Sequence, residues 1–506
     1  MHHIAVATIA AVAAWATGST ARPAVCPRGT EWIEDVQNEL APNLSDKAEI
    51  YLPGSGEFAE ASTRWSVLEQ PEVNVVVVPG NAEDVAETVK FSNSKQVPFL
   101  AYNGRHGALT TLGEMDYGIE IFLEQLSSVE IAQDGKTVKV GGGTNSKVLI
   151  DALWEAGKQA VTGTCECVSY LGPALGGGHG WLQGHHGLIG DQFVSLEMVL
   201  ADGTLTTVSP ESKSDLFWAM NGAGHNFGIV TSATSRIFDI EHTDWAIETI
   251  TFGGDKVEAA YEAVNEHLLK DGNQRVDIIN WSYMMNNPAA DPNNPVIIFY
   301  IIQEGVTAVD PSITKPFHDL SPLSIEPQSG SYLDVSAWTG ISNDAPPCQK
   351  VGAANPRFPA YIETYNISAQ RQAYDLFAAE AGPSSPFFNS IFMFEGYSLQ
   401  AVKAIDAKST AFAYRGDNIL AAPLISYMPT DDEELDERAA DLGVQLREIL
   451  REGTGREELH SYVNYAFGDE TPEDWYGAEG WRQKKLKQLK RKYDPEGRFS
   501  FYAPVA

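Results

Sequence analysis

Positive charge is what this chain has least of. Thirty-five Lys and Arg face 68 Asp and Glu, a formal net charge of −33. That balance argues against nucleic acid or an anionic membrane surface as a partner. It fits a soluble monomer kept from its neighbours by repulsion. Cysteine is also scarce, four in 506 residues, so no disulfide framework is needed to hold so large a core. Cys165 and Cys167 are too close in sequence to pair comfortably with each other. Cys-x-Cys without a second ligand pair excludes an ordinary zinc site, and no metal is expected. The histidines His179, His185 and His186 lack the carboxylate or the i, i+4 spacing that would make them ligands. There is no internal repeat or low-complexity tract. After the first two dozen residues no apolar run is long enough to cross a bilayer.

Those first residues are the exception. Residues 4–16 form a short apolar core followed by small residues, the pattern of a secretory signal over residues 1–21. Asn-x-Ser sequons at Asn43, Asn280 and Asn366 agree with an extracellular glycoprotein, although Asn280 lies in a run that reads as a strand. Apolar residues make up 43%, the proportion of an ordinary globular protein.

The chain behind the leader divides by texture. Residues 30–41 suggest a short helix and residues 44–58 an irregular arm. The β-branched run 74–78 reads as a buried strand, and Asn81 caps a helix reaching about residue 96. A strand at 97–101 follows and delivers the loop YNGRHG. Short strands are expected at 119–122, 128–131 and 137–140, the last two joined as a hairpin about Asp134-Gly135, a helix at 147–157, and a second hairpin from 192–200 and 204–208 about Asp202-Gly203. Near Asp239 the pattern changes. Strands at 246–252, 276–281, 296–303, 390–395 and 420–427 alternate with acidic helices, predicting an antiparallel sheet flanked by helices. The class is α+β in two domains. Residues 22–240 form the first, 241–462 the second, and 463–506 return to the first.

Glycine is concentrated where chemistry is expected. Residues 161–180, VTGTCECVSYLGPALGGGHG, hold six glycines with Cys165, Cys167 and His179. So dense a run lets backbone approach a flat or charged ligand closely. The glycines at 222, 224 and 228 lead into a strand and not a helix, so a Rossmann fingerprint is excluded.

Taken in order, VVVVPGNAEDV, YNGRHG, C-x-x-V before LGPALGGGHG, VLADG, NGAGHNFGIVT and YVNYAFGD…KYDPEGRF span nearly the whole chain. In these the sequence resembles the secreted fungal berberine-bridge-enzyme-like FAD-linked oxidases of the vanillyl-alcohol-oxidase (p-cresol-methylhydroxylase) superfamily. The resemblance implies that superfamily's two-domain fold, with FAD held by bonds to His106 and Cys165. Arg105 stands where the family commonly has glycine, Ser169 replaces another, and Cys167 competes with Cys165. Cofactor contacts map to Asn103, Gly104, Arg105, Gly107, Gly172, Gly177, Gly178, Gly228, Val230 and Asn464. Val168 holds the place that favours O2 as electron acceptor. Tyr465 is the implied base, with Glu395 or Asp469 to take its proton and Tyr462 beside the substrate. Trp281, Tyr283, Tyr361 and Tyr397 are expected to line a cleft for a bulky small-molecule alcohol. An oxidase releasing H2O2 is the expected activity. A dehydrogenase or oxidative cyclase of secondary metabolism, and a flavin-storage protein, are the alternatives.

Overall fold

The computed structural model describes residues 31–104, 106–430 and 433–505. The expected leader, Cys26 and Arg105 lie outside them. Two smaller sheets build the first half. Val73–Val78, Gly118–Phe122 and Phe99–Tyr102 run parallel in that order, with Glu49–Tyr51 antiparallel on the outer edge. The arm read as irregular therefore contains an edge strand and a short helix, Gly56–Ala61. Its three-residue strand carries too little alternation to be legible alone. The helix Ala82–Lys95 links two of the parallel strands and starts in a capping box. The Asn81 side chain accepts from the Asp84 N–H while the Asp84 carboxylate accepts from the Asn81 N–H. Its apolar side chains Val85, Val89 and Phe91 pack on Val75, Val77, Phe99 and Ile119.

The second sheet is antiparallel, in the order Val129–Ile131, Thr137–Gly141, Ile229–Arg236, Phe193–Val199, Leu205–Val208. Both expected hairpins are in it. The C-terminal stretch packs back on this half. The Asn226 side chain donates to Ala503 O and accepts from Val505 N, and Lys490 Nζ donates to Asn226 O.

The other half is one seven-stranded antiparallel sheet: Ser324–Gly330, Trp245–Phe252, Val296–Glu304, Ile278–Met285, Ile391–Gly396, Ile419–Leu424, Ala360–Ile362. The first of these was not expected. It is an exposed, polar edge strand with Pro327 inside it, where proline is tolerated. The last is only three residues long. Side chains alternate across a strand, and here the alternation decides function. Phe392, Phe394, Ile297, Phe299 and Ile362 face the helices Val257–Ala263, Ile367–Glu380 and Glu433–Thr454. Trp281, Tyr283, Tyr300, Ile302 and Tyr361 face the core of the first half. Glu395, next to Phe394 in Ile391–Gly396, is thereby turned from the helices toward the seam between the halves.

Candidate functional site

A cavity of about 280 Å³ opens along that seam. Asn103, His106, Gly107, Cys165, Val168, Gly172, Gly228, Val230, Tyr462, Asn464 and Tyr465 all line it. Its wall continues through Phe99, Arg498 and Phe499 in the first half and through Arg357 and Tyr397 in the second.

His106 and Cys165 come from loops sixty residues apart and meet here. The His106 ring lies 4.5 Å from the Trp65 ring, and Nε2 is 2.6 Å from the Pro347 carbonyl oxygen. A carbonyl only accepts, so Nε2 carries the hydrogen, and in the neutral ring the lone pair sits on Nδ1. His106, Cys165 and Cys167 lie with their ligand atoms within 4.8 Å of one another. They do not make a metal site of the usual kind, because Cys167 is bonded to Cys348. Of the two neighbouring cysteines, only Cys165 is therefore outside a disulfide. Its Sγ lies 3.6 Å from Cys167 Sγ and 3.5 Å from Cys348 Sγ. The same loop is stitched to the second half by Ser336 Oγ donating to Thr164 O and Asn343 N donating to Glu166 Oε2.

Gly104, Gly177 and Gly178 fall outside the cavity lining. The triple glycine serves packing. Gly177 has φ +99° and a Cβ there would come within 2.5 Å of the Phe412 ring; Gly178 has φ +85° and would meet Ile189 at 2.7 Å. A left-handed backbone and the close approach together require glycine. Gly104 also has a positive φ, and a Cβ on it would point at Phe122, 3.5 Å away. Trp281, Tyr283 and Tyr361 are likewise one layer behind the wall, which only Tyr397 of the four reaches. They are the buried side chains on which it rests: Trp281 packs on Trp181 and Tyr397, and Tyr361 Oη–H donates to His179 Nε2 at 2.7 Å.

The titratable groups form a connected set. Tyr465 Oη–H donates to Glu395 Oε1 at 3.0 Å, and Tyr397 Oη–H donates to Glu395 Oε2 at 2.7 Å. Burial pushes Glu395 up to about 7, against the lowering effect of the two tyrosine hydroxyls and of Arg357. Burial and the Glu395 charge hold Tyr465 well above the ordinary tyrosine value. Asp469, the other expected acceptor, is instead paired with Arg447 at 2.6 Å. The Tyr462 hydroxyl accepts from His179 N–H at 3.3 Å and Asn464 Nδ2–H at 2.8 Å. Burial lowers His179 and His225 to about 4, so both rings are neutral.

The wall fits FAD. His225 Nε2–H donates to Gly172 O at 2.9 Å, which makes Nδ1 an acceptor, and this buried atom has no partner among the described residues. A hydroxyl of the bound cofactor would supply such a donor. A phosphate-binding part would need no lysine, since loop N–H groups can hold a diphosphate. At the other end a cysteine and a histidine stand where two bonds to one ring system are feasible. Sequence reasoning missed His225, Arg64 and Arg357. The first sat unremarked inside NGAGHNFGIVT, and the arginines lie in stretches without any motif.

Comparisons with known proteins agree. Residues 73–209 match the FAD binding domain family, and residues 461–506 match the berberine and berberine-like family. An FAD-linked oxidoreductase, chyH of Penicillium rubens, is 62% identical over 98% of this chain and 99% of its own. Another, chry5 of Gibberella zeae, is 53% identical over 94% and 96%. Among solved structures, BBE-like 1 of Physcomitrella patens superposes with a TM-score of 0.77 over 93% of this chain and 99% of that one, at 21% identity. Glucooligosaccharide oxidase of Acremonium strictum, described with a 6-S-cysteinyl, 8α-N1-histidyl FAD, gives 0.75 over 93% and 99%, at 18% identity. Fold and site together define a two-domain flavoprotein oxidoreductase of the vanillyl-alcohol-oxidase type. The chain belongs to the berberine-bridge-enzyme-like family of FAD-linked oxidoreductases in the p-cresol-methylhydroxylase superfamily.

Proposed function

We propose that this protein is a secreted oxidase that takes a hydride from a bulky alcohol, a carbohydrate or secondary metabolite, and passes the electrons to O2 as H2O2. The observation that carries it is the Tyr465–Glu395–Tyr397 array at the cavity wall. FAD supplies the hydride acceptor, which no side chain can be. His106 and Cys165 would hold it covalently, with Nδ1 as the bonding atom of His106. The chain's own part is the proton. A phenolate at Tyr465 is disfavoured by burial and by Glu395, so Tyr465 acts as a relay. Its oxygen accepts the substrate's hydroxyl proton as the C–H hydride leaves, and its own proton moves to Glu395 Oε1. Glu395, near 7, is the group whose ionisation permits this. Tyr462, with its oxygen fixed by two donors, keeps its own proton to orient the substrate oxygen.

Val168 on the cavity wall supports O2 as acceptor, since a small side chain leaves room where a larger one would shield the ring. Fold neighbours described as carbohydrate oxidases support the sugar alternative, and fungal relatives named only as oxidoreductases the other. The leader pattern supports secretion, as does the Cys167–Cys348 disulfide, a bond typical of oxidising compartments. Asn43 and Asn366 are exposed sequons, whereas Asn280 is buried and donates to Tyr300 O. The test mixes holoenzyme anaerobically with a panel of alcohols and follows flavin bleaching, then admits air and measures peroxide. Bleaching with reoxidation over many minutes would make it a dehydrogenase; no bleaching with any alcohol would remove the reading.

A further inference from the structure

Several buried arginines among the described residues are neutralised by an acid. Arg64 is paired with Glu120, Arg415 with Asp191, Arg447 with Asp469 and Glu470, Arg456 with Asp417, and Arg482 with Glu479. Arg357 is also buried, 7% exposed, yet makes no ion pair with a carboxylate among the described residues. Its Nε has no hydrogen-bond partner either. Its guanidinium is held between two ring faces, 4.7 Å from the Trp65 centroid and 4.5 Å from that of Tyr465, and the residue lines the cavity. Ring faces position a guanidinium but satisfy none of its in-plane donors. A buried charge left in that condition is costly unless something else completes it.

The cofactor does not complete it. Trp65 also touches His106, so Arg357 stands at the end of the cavity where the flavin's methyl-bearing edge would be attached. That edge offers no anionic acceptor, and the diphosphate would be held by the glycine loops.

We propose that Arg357 binds a carboxylate of the substrate, so that the alcohol oxidised here is a hydroxy acid or an acid-bearing metabolite. This rests on reading the cavity as the site of alcohol oxidation. The planar guanidinium fork matches a carboxylate with two parallel hydrogen bonds. Tyr465 stacks on the same guanidinium, so an acid held there carries its hydroxyl toward the relay. Neutral oligosaccharides leave Arg357 unpaired and are poor substrates.

The test needs binding only. Holoenzyme is titrated anaerobically with phenylacetate, benzoate and 3-phenyllactate, each against its carboxamide, and perturbation of the flavin absorption bands gives Kd. The acids should bind at least ~10-fold more tightly than the amides. Arg357→Gln should abolish that preference while amide affinity stays within about twofold, and Arg357→Lys should restore part of it. Equal binding of acids and amides overturns the proposal, as does no perturbation by any acid, or an undiminished preference in Arg357→Gln. If Arg357→Gln does not load FAD, the Lys variant and the acid-to-amide ratio of the wild type decide. Acid-selective binding without peroxide from any alcohol would leave this site standing and remove the oxidase; peroxide from neutral alcohols with no acid preference would do the reverse.

Discussion

The two walls of the cavity are built by different means. The first half presents loops bearing Asn103, His106 and Gly107, then Cys165, Val168 and Gly172, and then Gly228 to Val230, with backbone groups and two nucleophilic side chains. The second half presents side chains from the antiparallel sheet and its connections, with Tyr397 and Arg357 on the lining and Glu395 behind Tyr397, all set among aromatic rings. One wall holds a cofactor whose shape never changes, so it is written in glycines and short motifs. The other, on the proposed function, would meet the substrate with groups of tuned charge.

The sharpest way to separate the walls is Tyr465→Phe. It removes the relay oxygen and leaves His106 and Cys165 in place, so anaerobic flavin reduction should fall at least ~100-fold while covalent flavin remains. Reduction at near wild-type speed would erase the distinction. Next comes the attachment itself. His106→Ala or Cys165→Ala alone should leave flavin on the other residue after acid precipitation, and the double variant should release it all, read by peptide mass mapping. A third change acts on the bond that joins the halves. Cys348→Ser opens the Cys167–Cys348 link between segments 181 residues apart, which should cost about 2–4 kcal/mol in stability. It also liberates Cys167 beside Cys165, so flavin attached at Cys167 should become detectable by mass. Gly177→Ala should cost about 1–3 kcal/mol from its left-handed backbone, with the Phe412 contact added. Because Gly177 lies behind the wall, the variant that folds should reduce its flavin normally. Smallest is Val168→Leu, which should slow reoxidation by air in stopped flow and leave reduction nearly intact.

This division explains what the sequence could and could not disclose. The capped helix behind Val73–Val78 and both hairpins were legible, because asparagine caps and Asp-Gly turns act locally. His106 and Cys165 were legible for the same reason, each embedded in a glycine loop. Gly177 and Gly178 read as ligand contacts, but a positive φ against Phe412 and Ile189 demands glycine just as strictly. On the other wall, Glu395 could be picked as a strand-end acid near Tyr465, whereas its depth and its second tyrosine, Tyr397, could not. Arg357 had no signal at all. Its meaning comes from a missing partner, which only three-dimensional contacts reveal. Four aromatic residues suggested a cleft, yet Trp281, Tyr283 and Tyr361 support it from behind, because their strand alternation aims them at the core of the first half and not at the opening.

The central claim is that Glu395, raised to about 7 by burial, is the final acceptor of the substrate proton through Tyr465. Glu395 must be ionised to accept, so the reductive rate should be low below that value, rise with pH through about 7 and then level off. The direct measurement is the rate of anaerobic flavin reduction against pH, for wild type and for Glu395→Gln. A rise centred near pH 7 in the wild type, absent in a Glu395→Gln enzyme slowed by about 100-fold, is the predicted result. A wild-type rate flat from pH 5 to 9, or a Glu395→Gln variant with the same rise and speed, would contradict it.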